Sequence, residues 1–360
     1  MSEIIRGGVD CDLHPALPGI RSLVPYLNEY WQDQVVSRGM VDLVSASYPL
    51  NSPITARPDW RPTEGKAGAD LSALKKDALD RFATEFAICN PLYGVQMVFS
   101  EDIADAFCRA LNTWLAREWL DKDARLRGSI VIPTQSVEKS VAEIERCAKD
   151  PRFVQVLMLV MGDMPLGKRA LWPIYAAAER LGLPIGVHAG SAYHNPPTSV
   201  GWGSYHIEDY VAQAQAFQTQ LTSLIVEGVF ARYPKLKVVM LESGFTWLAP
   251  CLWRLHKFWR GIRMETPWVD RAPSEIVRSN IRFSLQPVDA PPEPGVLKAL
   301  FDHMQSDELL LFSTDYPHWQ FEGDEVLPQG LSDDLVRKIM IDNPLATYGR
   351  LTPKARETAP

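Results

Sequence analysis

Eight short apolar segments alternate with amphipathic segments along this chain, and this alternation constrains the fold more than any other feature. The apolar segments are rich in Val, Ile and Leu, which is typical of strands in a parallel sheet covered by helices. They lie at residues 8–14, 81–89, 126–132, 153–160, 183–189, 236–243, 281–286 and 309–315. Eight repeats in 360 residues predict an α/β fold, a (β/α)8 TIM barrel that forms a single domain over residues 1–360. A doubly wound open sheet is the alternative, but the sequence contains neither of the two common glycine-rich phosphate loops.

Residues 15–80 interrupt this repeat. They contain many prolines and few strand signals, so we predict a long insertion after the first strand. In a barrel, a loop that leaves the C-terminal end of a strand overhangs the mouth where active sites lie. We interpret the insertion as a lid, with a surface insertion or an oligomerisation arm as the alternatives.

Composition excludes several classes of partner. The net charge of −7 leaves no broad basic surface, so we expect no nucleic-acid partner. The longest apolar run, residues 153–162, is ten residues long, about half of what a membrane-spanning helix needs, so we expect no membrane partner. The five cysteines form no C-x-x-C pair, and the first residues lack the apolar core of a signal peptide. We therefore expect a cytoplasmic protein that binds a small molecule, and its 11 tryptophans favour a homo- or hetero-oligomer.

Polar residues stand at the C-terminal ends of four predicted strands. The first strand, in the stretch VDCDLHP, ends in Asp12 and His14, which face the same side because they are two residues apart. His188 ends the fifth strand, Glu242 the sixth and Asp315 the eighth. Barrel strands end at a common rim, so we expect these side chains to converge there. Buried charges need partners, and nitrogen and oxygen donors of this kind suit Zn²⁺, Mn²⁺ or Fe²⁺.

Four motifs, DCDLH, GVHAG, LESGFTWLAP and FSTDYPHW, together resemble the amidohydrolase superfamily. The most similar branch contains aminocarboxymuconate-semialdehyde decarboxylase and the resorcylate-type decarboxylases, and the resemblance runs from Val9 to the NPLATYGR segment. It implies a metal-dependent hydrolase or a non-oxidative decarboxylase (a lyase) that acts on a small, carboxylate-bearing organic substrate. It also implies that Asp12, His14, His188 and Asp315 bind the metal, with zinc as the first expectation and manganese or iron as alternatives. Asp315 would also accept and return a proton during catalysis.

Two positions depart from the family pattern. The first-strand pair is Asp12-x-His14 in place of His-x-His or Glu-x-His, a change that keeps a carboxylate ligand. The sixth strand ends in Glu242, where many decarboxylases of the branch have a histidine. We expect Glu242 to be either a general acid/base or an additional metal ligand. A second metal is then possible, and the alternative functions are an oxygen-activating hydroxylase of small carboxylic acids and a non-catalytic, metal-binding subunit.

The remaining histidines are interpreted by their position. His318 follows Asp315 in a predicted turn, and we expect it to contact the substrate or to complete a second metal site. His194 lies in the loop after the fifth strand, where it is a candidate for substrate binding or a solvated loop residue. His256 and His303 fall within predicted helices, so we expect no chemical role for them.

Overall fold

The computed structural model describes residues 5–43, 56–190, 195–290, 293–318 and 326–352. Its centre is one sheet of eight parallel strands in which each strand pairs with the next along the chain. The strands are β1 Val9–Leu13, β2 Phe86–Cys89, β3 Leu126–Val131, β4 Phe153–Leu159, β5 Ile185–His188, β6 Val238–Leu241, β7 Ile281–Ser284 and β8 Leu310–Leu311. The segment after β8 lies against β1. Leu13 and Tyr316 form an isolated parallel β-bridge, and the Cys11 N–H donates to the Phe312 carbonyl over 2.9 Å. The barrel is therefore nearly closed, which confirms the predicted (β/α)8 fold.

Helices connect the strands. The α-helices are α1 Glu29–Ser37, α2 Leu71–Leu74, α3 Glu101–Leu115, α4 Val137–Cys147, α5 Trp172–Leu181, α6 His206–Val226, α7 Val229–Arg232, α8 Leu248–Ile262, α9 Pro273–Asn280, α10 Pro294–Met304, α11 Asp333–Arg337 and α12 Asn343–Thr347. Short 3₁₀ turns lie at Ile20–Ser22, Val24–Tyr26, Pro58–Trp60, Val95–Met97, Arg169–Leu171 and Arg263–Glu265. In the described part of the chain, π-helical segments lie at Lys75–Asp80, Ala116–Leu120 and Lys338–Asp342.

Helix α3 shows how local sequence sets these elements. The Ser100 hydroxyl caps the helix by accepting the Ile103 N–H over 3.4 Å. Glu101 and Asp102 occupy the first turn, where negative charge is favoured by the helix dipole. Apolar side chains such as Phe107 recur at helical spacing and are buried. The helix therefore packs against β3 through one apolar face.

The second strand begins later than the sequence predicts. The apolar pattern predicts a strand over residues 81–89, but only Phe86–Cys89 is extended. The preceding chain ends a π-helical segment and turns, with the Thr84 N–H donating to the Leu79 carbonyl over 2.9 Å. Phe82 lies in this turn, and its side chain is fully buried. Phe82 is therefore apolar because it packs in the core, although it does not belong to a strand.

The insertion after β1 is packed on the barrel. Residues 15–80 contain α1 and α2, and their residues 44–55 lie outside the described part of the chain. Leu17, Ile20 and Leu23 are buried and belong to the main hydrophobic core. The insertion is therefore anchored at its start, and its role as a lid stays a prediction at this point.

Helix α8 carries the tryptophan-rich segment. Leu248 and Leu252 are buried against the barrel, as expected for packing. Trp253, Phe258 and Ile262 are exposed on the other side of the helix, at 57%, 46% and 52% of their surface. The predicted oligomer and the cytoplasmic location stay predictions. Within the described ranges, the protein contains no helix with the length and apolarity that a bilayer crossing demands.

Candidate metal centre

The structure brings five of the predicted residues together at the C-terminal rim of the barrel. We call Asp12, His14, His188, Glu242 and Asp315 the rim cluster. Asp12 and His14 come from the end of β1, His188 is the last residue of β5, and Glu242 directly follows β6. Asp12, His188 and Asp315 are fully buried, and the other two are 4% and 8% exposed. Parallel strands ending on one rim therefore collect side chains from distant parts of the sequence.

The donor atoms of the rim cluster are spaced as metal ligands are. His14 Nε2 lies 3.2 Å from Asp12 Oδ1 and 3.0 Å from Asp315 Oδ1. His188 Nε2 lies 3.7 Å from Asp12 Oδ2 and 3.5 Å from Glu242 Oε2. Two ligands that bind one ion at about 2.1 Å are themselves roughly 3–3.5 Å apart. The separations thus match those of atoms around a shared cation.

Three atoms of this cluster are buried without a hydrogen-bond partner among the described residues: Asp12 Oδ2, His188 Nε2 and Asp315 Oδ2. Most buried polar atoms in proteins are hydrogen-bonded, and an unpaired buried carboxylate oxygen is costly. A divalent cation held by Asp12, His14 and His188, whose ligand atoms lie within 4.8 Å of one another, would satisfy the first two atoms. Asp315 lies in an adjoining group with His14 and His318. The residues present therefore fit a metal ion, which supports the predicted divalent cofactor.

The backbone is strained at two of these positions. Glu242 and Asp315 have φ angles of 58° and 56°, in the left-handed region that non-glycine residues rarely adopt. The Glu242 N–H donates to Ser284 Oγ over 2.9 Å, and the Asp315 N–H donates to the Asp12 carbonyl over 3.0 Å. These bonds hold the two carboxylates in place against the strain. Strain of this kind is concentrated at functional sites.

Asn90 orients both first-strand residues and was not among the predicted site residues. His14 Nδ1 donates to the Asn90 carbonyl over 2.8 Å, which fixes the tautomer and leaves Nε2 available to a metal. The Asn90 amide donates to Asp12 Oδ1 over 2.8 Å, so that Oδ2 is the oxygen without a partner in the described structure. Asn90 itself accepts from Ser129 Oγ at 2.5 Å and from Gln155 Nε2 at 3.1 Å. Its position immediately after β2, on the same rim, is the signal that could have identified it.

His318 and Tyr210 extend the cluster. His318 Nδ1 lies 2.7 Å from Asp315 Oδ1 and 3.5 Å from Glu242 Oε1, and its ring stacks on His14 with centroids 4.4 Å apart. Burial alone would lower the pKa of His318, but the Asp315 and Glu242 carboxylates outweigh it and hold the pKa well above its usual range. Tyr210, on the first turns of α6, donates its hydroxyl to Glu242 Oε1. Tyr210 was not predicted from the sequence, because a helix position alone does not show which strand end it faces.

The pKa values of two further carboxyl groups are shifted by burial and by the groups that they contact. Burial alone would raise the pKa of Asp315, but His318 and His14 outweigh burial and hold the pKa below its usual range. Burial raises the pKa of Asp10 to about 7, although two hydrogen bonds from Thr314 act in the opposite direction. Both Asp10 oxygens accept from Thr314, at 3.0 Å from the N–H and 2.6 Å from the hydroxyl. Asp10 is therefore a structural residue of the β1–β8 junction.

Among the described residues, His256 and His303 take no part in the rim cluster. His194 lies outside the described residues, so its predicted substrate contact stays a prediction. His256 Nε2 accepts the Ser274 N–H over 3.2 Å, and His303 packs edge-on against Trp253. Both lie on helices, α8 and α10, as the sequence predicts, and their lack of a chemical role stays a prediction.

The family model described as Amidohydrolase matches residues 9–350. The chain belongs to the amidohydrolase family. The predicted superfamily is thereby confirmed, and with it the prediction of a metal-dependent enzyme at the level of the family.

Some of the known proteins that this chain resembles are named decarboxylases. The gamma-resorcylate decarboxylase of a Polaromonas species is 24% identical over 168 residues, which cover 45% of this chain and 51% of that protein. The chain spans about half the length of the curated relatives it matches, at 51% and 55%. A solved amidohydrolase from Mycobacterium avium subsp. paratuberculosis has a TM-score of 0.73 at 21% identity, covering 96% of this chain and 100% of its own. A 5-carboxyvanillate decarboxylase from Novosphingobium aromaticivorans, solved with manganese, has a TM-score of 0.70 at 18% identity, covering 97% of each chain.

A cavity of about 570 Å³ opens beside His14 and His318. The insertion supplies most of its remaining wall, including the cationic side chains Arg61 and Lys66. Lys66 is paired with Asp42, whereas the Arg61 Nε donates to the Ala56 carbonyl over 2.9 Å. A ligand in this cavity would thus contact both the cluster and the insertion.

Proposed function

We propose that this amidohydrolase catalyses the non-oxidative loss of CO₂ from a small aromatic carboxylate. The observation that carries the proposal is the set of three unpaired, buried donor atoms among the described residues, which lies beside the cavity at His14 and His318. The curated relatives named gamma-resorcylate decarboxylase support the reaction class. Hydrolysis of an amide, ester or lactone is the alternative reaction at the same residues.

Asp12, His14, His188 and Asp315 are the proposed metal ligands. A bound divalent ion supplies positive charge that stabilises the negative charge developing on substrate oxygens. Nitrogen and carboxylate donors accept zinc, manganese and iron alike. Zinc stays our first expectation, although the solved carboxyvanillate decarboxylase contains manganese.

The cavity supports a substrate with one ring and an acidic group. Its volume of about 570 Å³ falls within the range of about 300–1,000 Å³ that is usual for small-molecule sites. Arg61 presents a guanidinium, which binds carboxylates through paired hydrogen bonds. Since Arg61 and Lys66 come from residues 15–80, we propose that the insertion acts as a lid that completes the substrate site.

Decarboxylation leaves an electron pair on the carbon that loses CO₂, and that carbon must receive a proton. We assign this proton transfer to Glu242, which accepts the Tyr210 hydroxyl and lies 3.5 Å from His318 Nδ1. His318 and Tyr210 are then the groups through which Glu242 regains its proton. In the hydrolytic alternative, Asp315 takes the proton of the attacking water and returns it to the leaving group.

The test is turnover of a panel of acids by the metal-loaded protein without oxygen. We expect CO₂ release from one-ring hydroxybenzoates, with 2,6-dihydroxybenzoate and 5-carboxyvanillate as the first probes, and one deuterium on the vacated carbon in D₂O. Oxygen-18 from water in a cleaved ester or lactone would instead establish the hydrolase. Metal binding without turnover, restored by a partner chain, would establish the non-catalytic subunit.

An oxygen-activating hydroxylase is the second candidate. It is favoured by the position of Glu242, which faces His188 with one oxygen and His318 with the other. Consumption of oxygen in step with the loss of a carboxylic acid, with no CO₂ release under anaerobic conditions, would replace the decarboxylase with this function.

A further inference from the structure

We infer that residues 56–69 of the insertion, which we call the wall segment, hold the proposed metal ligands His14 and Asp315 in position. The inference rests on the proposed metal-dependent function. It assigns this role to Trp60 and Gly68, which are buried and are not among the residues that line the described cavity. Both act through the segments that carry the ligands, so we call them positioning residues.

Trp60 packs on the segment that follows β8. Its side chain is 5% exposed, and its ring centroid lies 4.8 Å from that of Tyr316, which is 1% exposed. Tyr316 directly follows Asp315, and its carbonyl accepts the His14 N–H over 2.8 Å. The backbone of Tyr316 therefore joins the two ligand-bearing segments, and the indole ring of Trp60 holds Tyr316 in place.

A backbone hydrogen bond extends this contact to His318. The Arg57 N–H donates to the carbonyl of Pro317, the residue before His318, over 2.9 Å. The guanidinium carbon of Arg57 lies 4.9 Å from the centroid of the Trp60 ring, a distance at which a cation and an aromatic ring attract each other. Arg57 and Trp60 thus contact each other and the segment after β8.

Gly68 brings the wall segment against the end of β1. Its carbonyl accepts the Ala16 N–H over 3.0 Å, and its φ angle is 79°. A Cβ atom at this position would lie 2.6 Å from the His14 carbonyl oxygen and 3.3 Å from Pro317 Cγ. The backbone of the wall segment can therefore approach His14 this closely only because residue 68 has no side chain.

The wall segment thus contacts both ligand-bearing segments, through Trp60 after β8 and through Gly68 at the end of β1. Removing a group that only supports metal ligands typically lowers metal affinity by about 10–100-fold. The competing explanation is that the wall segment serves the substrate alone, since Arg61 and Lys66 of the same segment line the cavity. In that case its variants would raise KM and leave metal affinity unchanged.

The experiment measures the Mn²⁺ affinity of the full chain after chelation, with free Mn²⁺ followed by electron paramagnetic resonance. Trp60→Ala should lower the affinity by about 10–100-fold. Trp60→Phe, which keeps a ring against Tyr316, should restore most of it. Trp119→Ala is the matched control, because Trp119 is also buried and packs edge-on against another aromatic ring, that of Trp114. We expect this control to keep the affinity of the unmodified chain.

Gly68→Ala tests the contact with the end of β1. The added methyl group must displace the backbone of His14, so Mn²⁺ affinity should again fall by about 10–100-fold. Gly39→Ala is the matched control, because Gly39 also has a positive φ angle, 62°, but no atom lies within 4 Å of the added methyl group. Both variants strain the backbone, and only Gly68→Ala should weaken Mn²⁺ binding.

Each outcome decides for or against the inference. Unchanged Mn²⁺ affinity in either Trp60→Ala or Gly68→Ala overturns it and leaves the proposed function standing. An equal loss in the matched control also overturns it, because the effect would then be general destabilisation. A chain that binds no Mn²⁺ before any substitution overturns the proposed function itself. Circular dichroism establishes that each variant is folded, and Trp60→Leu provides a second test if Trp60→Ala is not.

Discussion

Two polar regions inside the barrel are equally buried but differ in how their atoms are paired. In the rim cluster, Asp12, His188 and Asp315 each keep a buried atom without a partner among the described residues. Below it lies a second set of polar residues, which we call the lower layer: Asp10, Thr314, Ser129, Gln155 and Tyr348.

In the lower layer, the polar side chains form hydrogen bonds with one another. Thr314 satisfies both oxygens of Asp10, and Tyr348 donates to Gln155 Oε1 over 2.9 Å. Gln155 Nε2 in turn donates to Ser129 Oγ over 2.9 Å. Single buried atoms without a partner also occur elsewhere in the described structure, for example Thr84 Oγ1 and Gln135 Oε1. The comparison teaches that neither burial nor one unpaired atom identifies a site, whereas several unpaired ligand atoms in one cluster do.

The largest expected effect is at His188. Replacement by alanine removes a direct ligand, so His188→Ala should lower metal affinity by more than about a hundredfold, beyond the 10–100-fold typical of residues that only support ligands. The measurement is metal content after dialysis against a defined Mn²⁺ concentration. His256→Ala is the control, and equal metal content in the two variants would refute the rim cluster as a metal site.

Glu242→Gln separates the two roles of Glu242. If Glu242 bridges two ions, the variant should lose one ion and turnover together. If Glu242 is only a general acid, the variant should keep its full metal content and lose about 10²–10⁴ in rate. Metal counting and single-turnover rates on the same preparation distinguish these results, and retention of both metal and rate would remove Glu242 from the mechanism.

Asn90→Ala tests the connection between the two regions. Loss of the amide frees Asp12 Oδ1, so metal affinity should fall by about 10–100-fold. Asn112→Ala is the matched control, since Asn112 is also buried and also bonds backbone and a carboxylate, Val131 and Glu143. A similar loss of metal affinity in both variants would mean that the effect is general destabilisation.

Arg61→Ala tests the wall of the cavity. A hydrogen bond to a charged group contributes about 1.5–3 kcal/mol, so KM for a carboxylate substrate should rise about tenfold or more. We expect metal content to be unchanged. Arg117→Ala is the control, because the Arg117 side chain is exposed on the π-helical segment after α3. An unchanged KM in Arg61→Ala would exclude Arg61 from substrate binding.

The smallest effect on metal binding is expected in the lower layer. Thr314→Val removes the hydroxyl that donates to Asp10 and should lower the free energy of unfolding by about 1–3 kcal/mol. Metal content should remain that of the unmodified chain. The free energy of unfolding is measured with denaturant and the metal content by metal analysis, both on the same sample. Loss of metal without loss of stability would show that the lower layer affects metal binding in the rim cluster.

The rim cluster could be predicted from the sequence because its members end strands, and strand ends of a barrel meet by geometry. The order of eight apolar segments is enough to place Asp12, His188 and Asp315 on one rim. Asn90 and Tyr210 could not be predicted in this way, for different reasons. Asn90 follows β2 in a loop whose sequence carries no motif that marks a site. The side chain of Tyr210 reaches Glu242 only because of the way in which α6 packs on the barrel.

Local apolar character was also misleading in places. The predicted second strand begins too early because it includes the apolar Phe82. Buried turns and buried strands use the same residue types, so the sequence pattern does not separate them. Pairing within the lower layer was likewise invisible, since the partner of Asp10 is Thr314, on a segment more than three hundred residues away. Such bonds follow from the closure of the barrel and not from any local pattern.

The most direct test is anomalous diffraction from crystals grown with saturating Mn²⁺, which locates manganese by element. We predict a peak within bonding distance of His188 Nε2, Asp12 Oδ2 and Asp315. A rim without any anomalous peak, in crystals that contain the ion in their solvent, would contradict the proposed metal centre.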